Sequence, residues 1–430
     1  MKIIEGFQSA KSILSRRAPK EVFGGDDREQ AVRQIINDVR DRGDAALFDY
    51  TSKFDGVKLT SLEVSKKQIA GAYQQVDAEL VSALKLAAER IGAFHTIQKE
   101  RLLRESAEPG VGWLVRPLQR VGVYAPGGTA SYPSTVLMTA IPAKVAGVKE
   151  VILVTPPGSD GAVPPLTLVA ADIARADCVF SVGGAQAIAA LAFGTESIPR
   201  VDKVCGPGNV FVVLAKKLVY GVVGIDGLQG PSEVLIIADE TANTEYCAAD
   251  LLAQAEHDPL ASAILITTSR RLANEVNQKV EQQLKDLPRQ SIATESLESR
   301  GIIAVVAGID EAIELANLYA PEHLCLMIDK ADSYISQICN AGCIVAGGKS
   351  TVVLGDYVAG PSHVLPTEGT ARFSSPLNVI DFIKLTSVVN IDKAGLKKLG
   401  SAAAIIARAE GLEAHARAIE KRLKKLSQGG

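Results

Sequence analysis

"EVLIIADETANTEYCAADLLAQAEHDPLASAILITTS", residues 233–269, decides the fold. It opens on the apolar run 233–239, passes through an amphipathic helix that ends in "LLAQAEHDP" (251–259), and closes on a second apolar run, 262–269. Runs this uniformly apolar, without polar alternation, belong to strands buried on both faces. With a helix between them they form a strand–helix–strand crossover, which joins parallel neighbours.

The same texture extends in both directions. Upstream, "RVGVYA" (120–125), "EVILVTP" (150–156), "DCVFSVGG" (177–184) and "DKVCGPG" (202–208) each precede a helical stretch. Downstream come "GIIAVVA" (301–307), "HLCLMID" (323–329) with a helix over 333–340, and "GCIVAGG" (342–348). Two sets of comparable length predict an α/β protein with two Rossmann-like, incompletely doubly wound parallel-sheet units in tandem: 111–232 and 233–372. Residues 1–110 read as a helical N-terminal segment, with Val32, Ile35, Ile36 and Val39 on one stripe, and 373–430 as a C-terminal helical tail.

The chain of 430 residues is 47% hydrophobic and 22% charged with a net charge of -3, the profile of a globular protein with no general attraction to nucleic acid or anionic membrane. The N-terminus lacks the apolar core of a signal peptide, and no window approaches the ~20 apolar residues of a membrane span. Six cysteines scatter among apolar neighbours without a CxxC, which suits a reducing space and predicts a cytoplasmic protein.

Two nucleotide motifs fail. "CGPGNVF" (205–211) has Phe211 where the third glycine of G-x-G-x-x-G should stand, and "AGCIVAGGKS" (341–350) has Cys343 where a P-loop requires Gly. Any dinucleotide must therefore bind without either fingerprint.

Only five histidines are present. His95 reads as structural. The other four stand beside acidic or amide residues, in "AQAEH" (His257), "APEHL" (His323), "GDYVAGPSHVLPT" (His363) and "EGLEAH" (His415). Gln254 and His257, at i and i+3, project from one helical face with Asp250 a turn back; taken alone, this is a solvated stripe. Glu322 and His323 fall at a strand edge, where adjacent side chains point to opposite faces. His415 lies on the stripe Leu412, Ala416, Ile419 and Leu423, and is expected to be buried with it. Together, a Gln, two of these histidines and an Asp make a mixed N/O donor set for a divalent metal without thiolate, suited to zinc, with manganese or cobalt as substitutes, and with exchangeable positions left open.

Several long segments carry a resemblance. "IINDVRDRGDAALFDYTSKFDGV", "RVGVYAPGGTASYPSTVLM", "VGGAQAIAALAFGTE", "VDKVCGPGN", "GPSEVLIIAD", "LLAQAEHDP", "YAPEHL", "GDYVAGPSHVLPT" and "EGLEAHARA" resemble the histidinol dehydrogenase family nearly end to end. The resemblance implies Zn2+ on Gln254, His257, Asp356 and His415; Asp250, one turn back, reads from its position alone as a supporting partner. It also implies Glu322 and His323 as the catalytic pair. Substrate contacts fall on Ser232, His363 and Glu410 beside the zinc ligands and His323, and NAD contacts on Tyr124, Gln186 and Asn209. The implied reaction takes L-histidinol through L-histidinal to L-histidine with two NAD+, in a homodimer whose C-terminal segment completes the partner's site. A different small-alcohol substrate would not need the full imidazole-binding set. A zinc hydrolase would not need the NAD positions, and a pure binding protein would not need the Glu322–His323 pair.

Overall fold

A computed structural model describes residues 1–15, 26–108, 110–127 and 131–428. Residues 128–130 of the segment 120–138, and residues 16–25 and 109 of the N-terminal segment and 429–430 of the tail, lie outside the described residues. The strands are, in chain order, β1 (Lys2–Glu5), β2 (Ser106–Glu108), β3 (Val111–Pro117), β4 (Arg120–Tyr124), β5 (Glu150–Thr155), β6 (Cys178–Ser181) and β7 (Lys203–Cys205). They continue with β8 (Gly224–Ile225), β9 (Glu233–Ala238), β10 (Ser262–Thr267), β11 (Ile302–Val305), β12 (His323–Met327), β13 (Cys343–Ala346) and β14 (Ile383–Val389).

Two parallel sheets dominate. One has the order β6-β5-β4-β7-β8 and the other β1-β11-β10-β9-β12-β13. Counted from β4 and from β9, both run third-second-first-fourth-fifth, so the direction of winding reverses between β4 and β7 and between β9 and β12. The protein is thus α/β with two helix-covered parallel sheets.

Strand β9 shows why the apolar runs are continuous. Val234, Ile236 and Ala238 pack into one cluster with helices Thr244–Ala255 and Arg270–Gln283, while Leu235 and Ile237 enter another with Phe7–Leu14 and Ile309–Tyr319. Both faces are dry, so alternation has no polar half. The first sheet is covered on one face by Asp26–Arg42, Gly184–Phe193 and Val210–Val219. Its other face carries Pro133–Ala146. Gly122 in β4 permits the close approach of Gly184–Phe193 on the first face, because a Cβ there would stand 2.6 Å from a methyl of the buried Leu191. Gly122→Ala is expected to lower stability by about 1–3 kcal/mol through overpacking, read as a drop in urea midpoint at constant m-value.

Three expectations need correction. The N-terminal segment is not wholly helical: Lys2–Glu5 adds a parallel edge strand to the second sheet, in register with Ile302–Val305. Four residues are too few to show a period, and the pairing is set by the distant partner. The C-terminal tail also contains a strand. β14 pairs antiparallel with β3, which pairs with β2. Residues 333–340 do not form an α-helix; a 3-10 helix, Ala331–Gln337, stands there. By contacts the chain divides into two units, Met1–Ile97 with Leu118–Phe382, and Gln98–Pro117 with Ile383–Gly430. The first holds both parallel sheets. The second holds β3 and β14 and the helix pair Lys393–Ala409 and Glu413–Gln428, packed through Ala404, Ala407 and Ala416. No helix among the described residues is long and apolar enough to cross a membrane.

Candidate active site

At the amino ends of β9 and β12 a group of polar side chains is buried, Glu233, Glu322 and His323 among them. Ala320, the C-cap of helix Ile309–Tyr319, holds a left-handed backbone (φ 52) while fully buried. That conformation is uncommon for a residue with a Cβ and costs about 1 kcal/mol or more. It turns the chain so that Glu322 and His323 enter β12 beside Glu233, the first residue of β9. Gly342, on the far side, passes so close that a Cβ would meet the Glu322 carbonyl oxygen at 2.6 Å. The segment that imitates a P-loop therefore supplies a close backbone approach.

Glu233 grips both neighbours. Its N–H donates to Glu322 Oε2 at 2.7 Å, and its carbonyl oxygen lies 3.2 Å from His323 Nδ1. Its own carboxylate accepts from the N–H of Glu322 at 3.4 Å and of Glu368 at 3.3 Å. With Nδ1 held as a donor to a carbonyl, His323 presents Nε2 as its basic nitrogen. That atom lies 3.3 Å from Asp356 Oδ1.

Burial pushes the Glu322 carboxyl up to about 8, against the opposing pull of His323. Burial pulls His323 down, but the carboxylates of Glu322 and Asp356 outweigh it and carry the imidazole to about 9. The pair thus favours a charged His323 as long as its acidic neighbours are ionised. Burial would raise Asp356 too. Its bond to His323, with the nearby imidazoles of His363 and His257, holds it below the ordinary carboxylate range instead.

Asp356 rides on the short helix Val352–Tyr357. The N-cap of that helix, Thr351, donates its hydroxyl to Asp250 Oδ1 at 2.9 Å. Asp250 thus reaches the site through Thr351. Helix Thr244–Ala255 runs back from the carboxyl end of β9, so its last turn arrives at the amino ends of the strands. It ends at Ala255, one turn earlier than the periodicity suggests, and His257 sits in the following turn with its N–H on the Gln254 carbonyl at 3.2 Å. Gln254 is buried. His257 is open to solvent on one side, and partial desolvation holds its pKa below the usual imidazole range. His363 is half-buried between the Asp356 carbonyl oxygen, 2.9 Å from Nδ1, and Thr135 Oγ1, 3.2 Å from Nε2. Ser232 immediately precedes β9.

The structure therefore brings Ser232, Gln254, His257, Glu322, His323, Asp356 and His363 to one end of the second sheet. Glu410 and His415 belong to the other unit. The expected burial of His415 is not found: its neighbour Ala416 is the buried residue, and both His415 and Leu412 are exposed. Helix Glu413–Gln428 meets Lys393–Ala409 through Ala416 and the Ile419 and Leu423 methyls near Gly400, which turns His415 outward. Among the described residues no three His, Cys, Asp or Glu side chains stand together as a ready-made metal site.

Tyr124, Gln186 and Asn209 occupy the carboxyl ends of the first sheet. The Tyr124 hydroxyl accepts from Gly184 N–H at 3.2 Å, and burial pushes it up to about 12. Gln186 is buried with its Oε1 unbonded, as is the Oγ of Ser181 at the end of β6. Asn209 N-caps helix Val210–Val219 through Oδ1, at 3.0 and 3.2 Å from the Phe211 and Val212 nitrogens, so only its amide nitrogen can meet a ligand. The residue that reading from sequence missed is Glu233. Its signal was its place beside Ser232 at the head of an otherwise apolar strand.

A family model for histidinol dehydrogenase matches residues 20–423. The chain is 58% identical to histidinol dehydrogenase of Dehalococcoides mccartyi (strain CBDB1), over 99% of this chain and 100% of that one. It is 51% identical to that of Clostridium acetobutylicum, over 92% of each. The crystal structure of histidinol dehydrogenase from Elizabethkingia anophelis superposes with a TM-score of 0.94 at 38% identity, over 99% of both chains. The chain belongs to the histidinol dehydrogenase family, oxidoreductases of histidine biosynthesis.

Proposed function

We propose that the protein carries out both oxidations that turn L-histidinol into L-histidine: L-histidinol + 2 NAD+ + H2O → L-histidine + 2 NADH with release of protons, through enzyme-bound histidinal. The observation that carries this reading is the Glu322–His323 pair, buried, clamped by Glu233 and joined through Nε2 to Asp356. His323 in its neutral form takes the hydroxyl proton at Nε2 as the first hydride leaves for the nicotinamide, so this step gains as pH rises toward about 9, where the charged form gives way. Glu322 then activates the water that adds to histidinal, and His323 serves again as the hydrate gives up the second hydride. Glu410 suits the substrate's ammonium, while Ser232 and His363 orient the remainder. Burial of the pair keeps bulk water from the reactive aldehyde.

The donor chemistry fits zinc. His257 is held toward its neutral form, Asp356 toward its ionised form, and Gln254 offers a buried amide oxygen. His415, from the partner subunit of a homodimer, is the proposed fourth ligand. When bound, zinc supplies a Lewis acid that anchors the substrate's imidazole and amine. The unbonded buried oxygens of Gln186 and Ser181 support a polar ligand over the first sheet, where Tyr124, Gln186 and Asn209 would take NAD+. Two sheets that share a third-second-first-fourth-fifth order, the second with β1 added at its edge, read as tandem Rossmann-like units (111–232 for NAD, 233–372 for metal and catalysis), with 373–430 completing the partner's site. Six unpaired cysteines suit the cytoplasm.

The test is NADH formation from L-histidinol before chelation, after chelation and after zinc is restored. Two NADH per histidinol, lost on chelation and regained with zinc, is the expected result. No NADH from fully metallated protein would overturn the reading.

A further inference from the structure

Lys216 lies in helix Val210–Val219 with its side chain 1% exposed, paired to Asp226, itself 2% exposed. The ammonium has three acceptors: Asp226 Oδ1 at 2.5 Å, the Gly206 carbonyl oxygen at 3.0 Å and Gln229 Oε1 at 2.9 Å. The ammonium donates to the Gly206 and Gln229 oxygens and is ion-paired with Asp226. Asp226 in turn accepts from Gly206 N–H at 2.8 Å and Gly227 N–H at 2.9 Å. Gly206 is therefore held at both its polar groups, its N–H by the acid and its C=O by the base. Its backbone is left-handed (φ +115), and a Cβ there would stand 2.1 Å from the Tyr124 carbonyl oxygen.

A buried ion pair seldom stabilises a fold more than well-packed apolar side chains of the same volume would, so its burial calls for another explanation. The residues it joins suggest one. Gly206 begins the loop 206–209 that ends on Asn209 and lies against Tyr124, both proposed to meet NAD+. Gln229 lies in the connection from β8 to β9 that delivers Ser232 and Glu233. A single ammonium thus ties the cofactor loop to the entry of the catalytic strand.

We propose that Lys216 and Asp226 are a positioning pair that sets the 206–209 loop for the dinucleotide. This rests on the NAD+ reading above. Neither residue touches the reacting atoms, so the effect falls on cofactor affinity. In the zinc-loaded enzyme, Lys216→Met, Asp226→Asn and the charge-balanced double variant should each raise KM for NAD+ by about tenfold or more, as expected when a binding group is displaced. KM for histidinol should be unchanged. Titration with NADH, followed by nicotinamide fluorescence, should weaken in parallel. Folded, zinc-replete variants with unaltered NAD+ affinity would overturn the proposal, and so would a double variant that fails to fold, since that would make the pair chiefly structural. A wild-type protein that binds no NADH would instead overturn the cofactor reading itself.

Discussion

His323→Asn is expected to reduce both oxidations by about 10²–10⁴-fold, the usual worth of a positioned general base. Asn can still donate toward the Glu233 carbonyl oxygen from the space of Nδ1, where the contact is 3.2 Å in the native protein. It offers no basic nitrogen in place of Nε2. The imidazole that accepts the alcohol proton is the one that accepts the hydrate proton, so the two steps fall together. Assays with histidinol and, separately, with histidinal should show parallel losses in kcat. Zinc content and calorimetric binding of histidinol should stay near native, because His323 is absent from the proposed ligand set. A variant that still oxidised histidinal at the native rate would show that a different base serves the second step. Loss of zinc would place His323 in the metal site instead.

Most of the fold was legible because both parallel sheets are buried on both faces, which writes their strands as unbroken apolar runs. What escaped was whatever depends on a distant partner. Lys2–Glu5 becomes a strand only because β11 offers an edge. The two-residue β8 and the short helix that carries Asp356 are too small to show a period. β14, "IKLTSVV", is rich in β-branched residues, and this signal lost out to the helical texture around it. At the site, residue types and neighbours brought out the histidines and their acidic companions. They could not show that Glu233 would grip both Glu322 and His323 through its main chain, since main-chain contacts leave no mark on side-chain pattern. His415 was misread for a related reason: an apolar stripe predicts burial, but the width of that stripe depends on the partner helix. Here small residues, Ala404, Ala407 and Ala416, let the two helices meet along a narrow seam that leaves His415 outside.

Glu322→Gln should separate the two steps that His323→Asn joins. The Glu322 carboxylate is buried and accepts the Glu233 N–H at 2.7 Å, a bond the amide oxygen of Gln can keep. The fold and the His323 position should therefore survive. What is lost is the capacity to take a proton from water, so histidinal oxidation should fall by about 10²-fold or more while histidinol oxidation changes far less. NADH formed per histidinol consumed should drop from two toward one as aldehyde leaves the enzyme. The pH dependence gives an independent check. Burial pushes the Glu322 carboxyl up to about 8, and a base acts only when ionised. Histidinal oxidation by the native enzyme should accordingly climb with pH through that value, and this part of the climb should be lost in the Gln variant, leaving the rise near about 9 that His323 requires. Equal loss of both oxidations, or an unchanged pH profile, would remove Glu322 from water activation and leave it the task of holding His323.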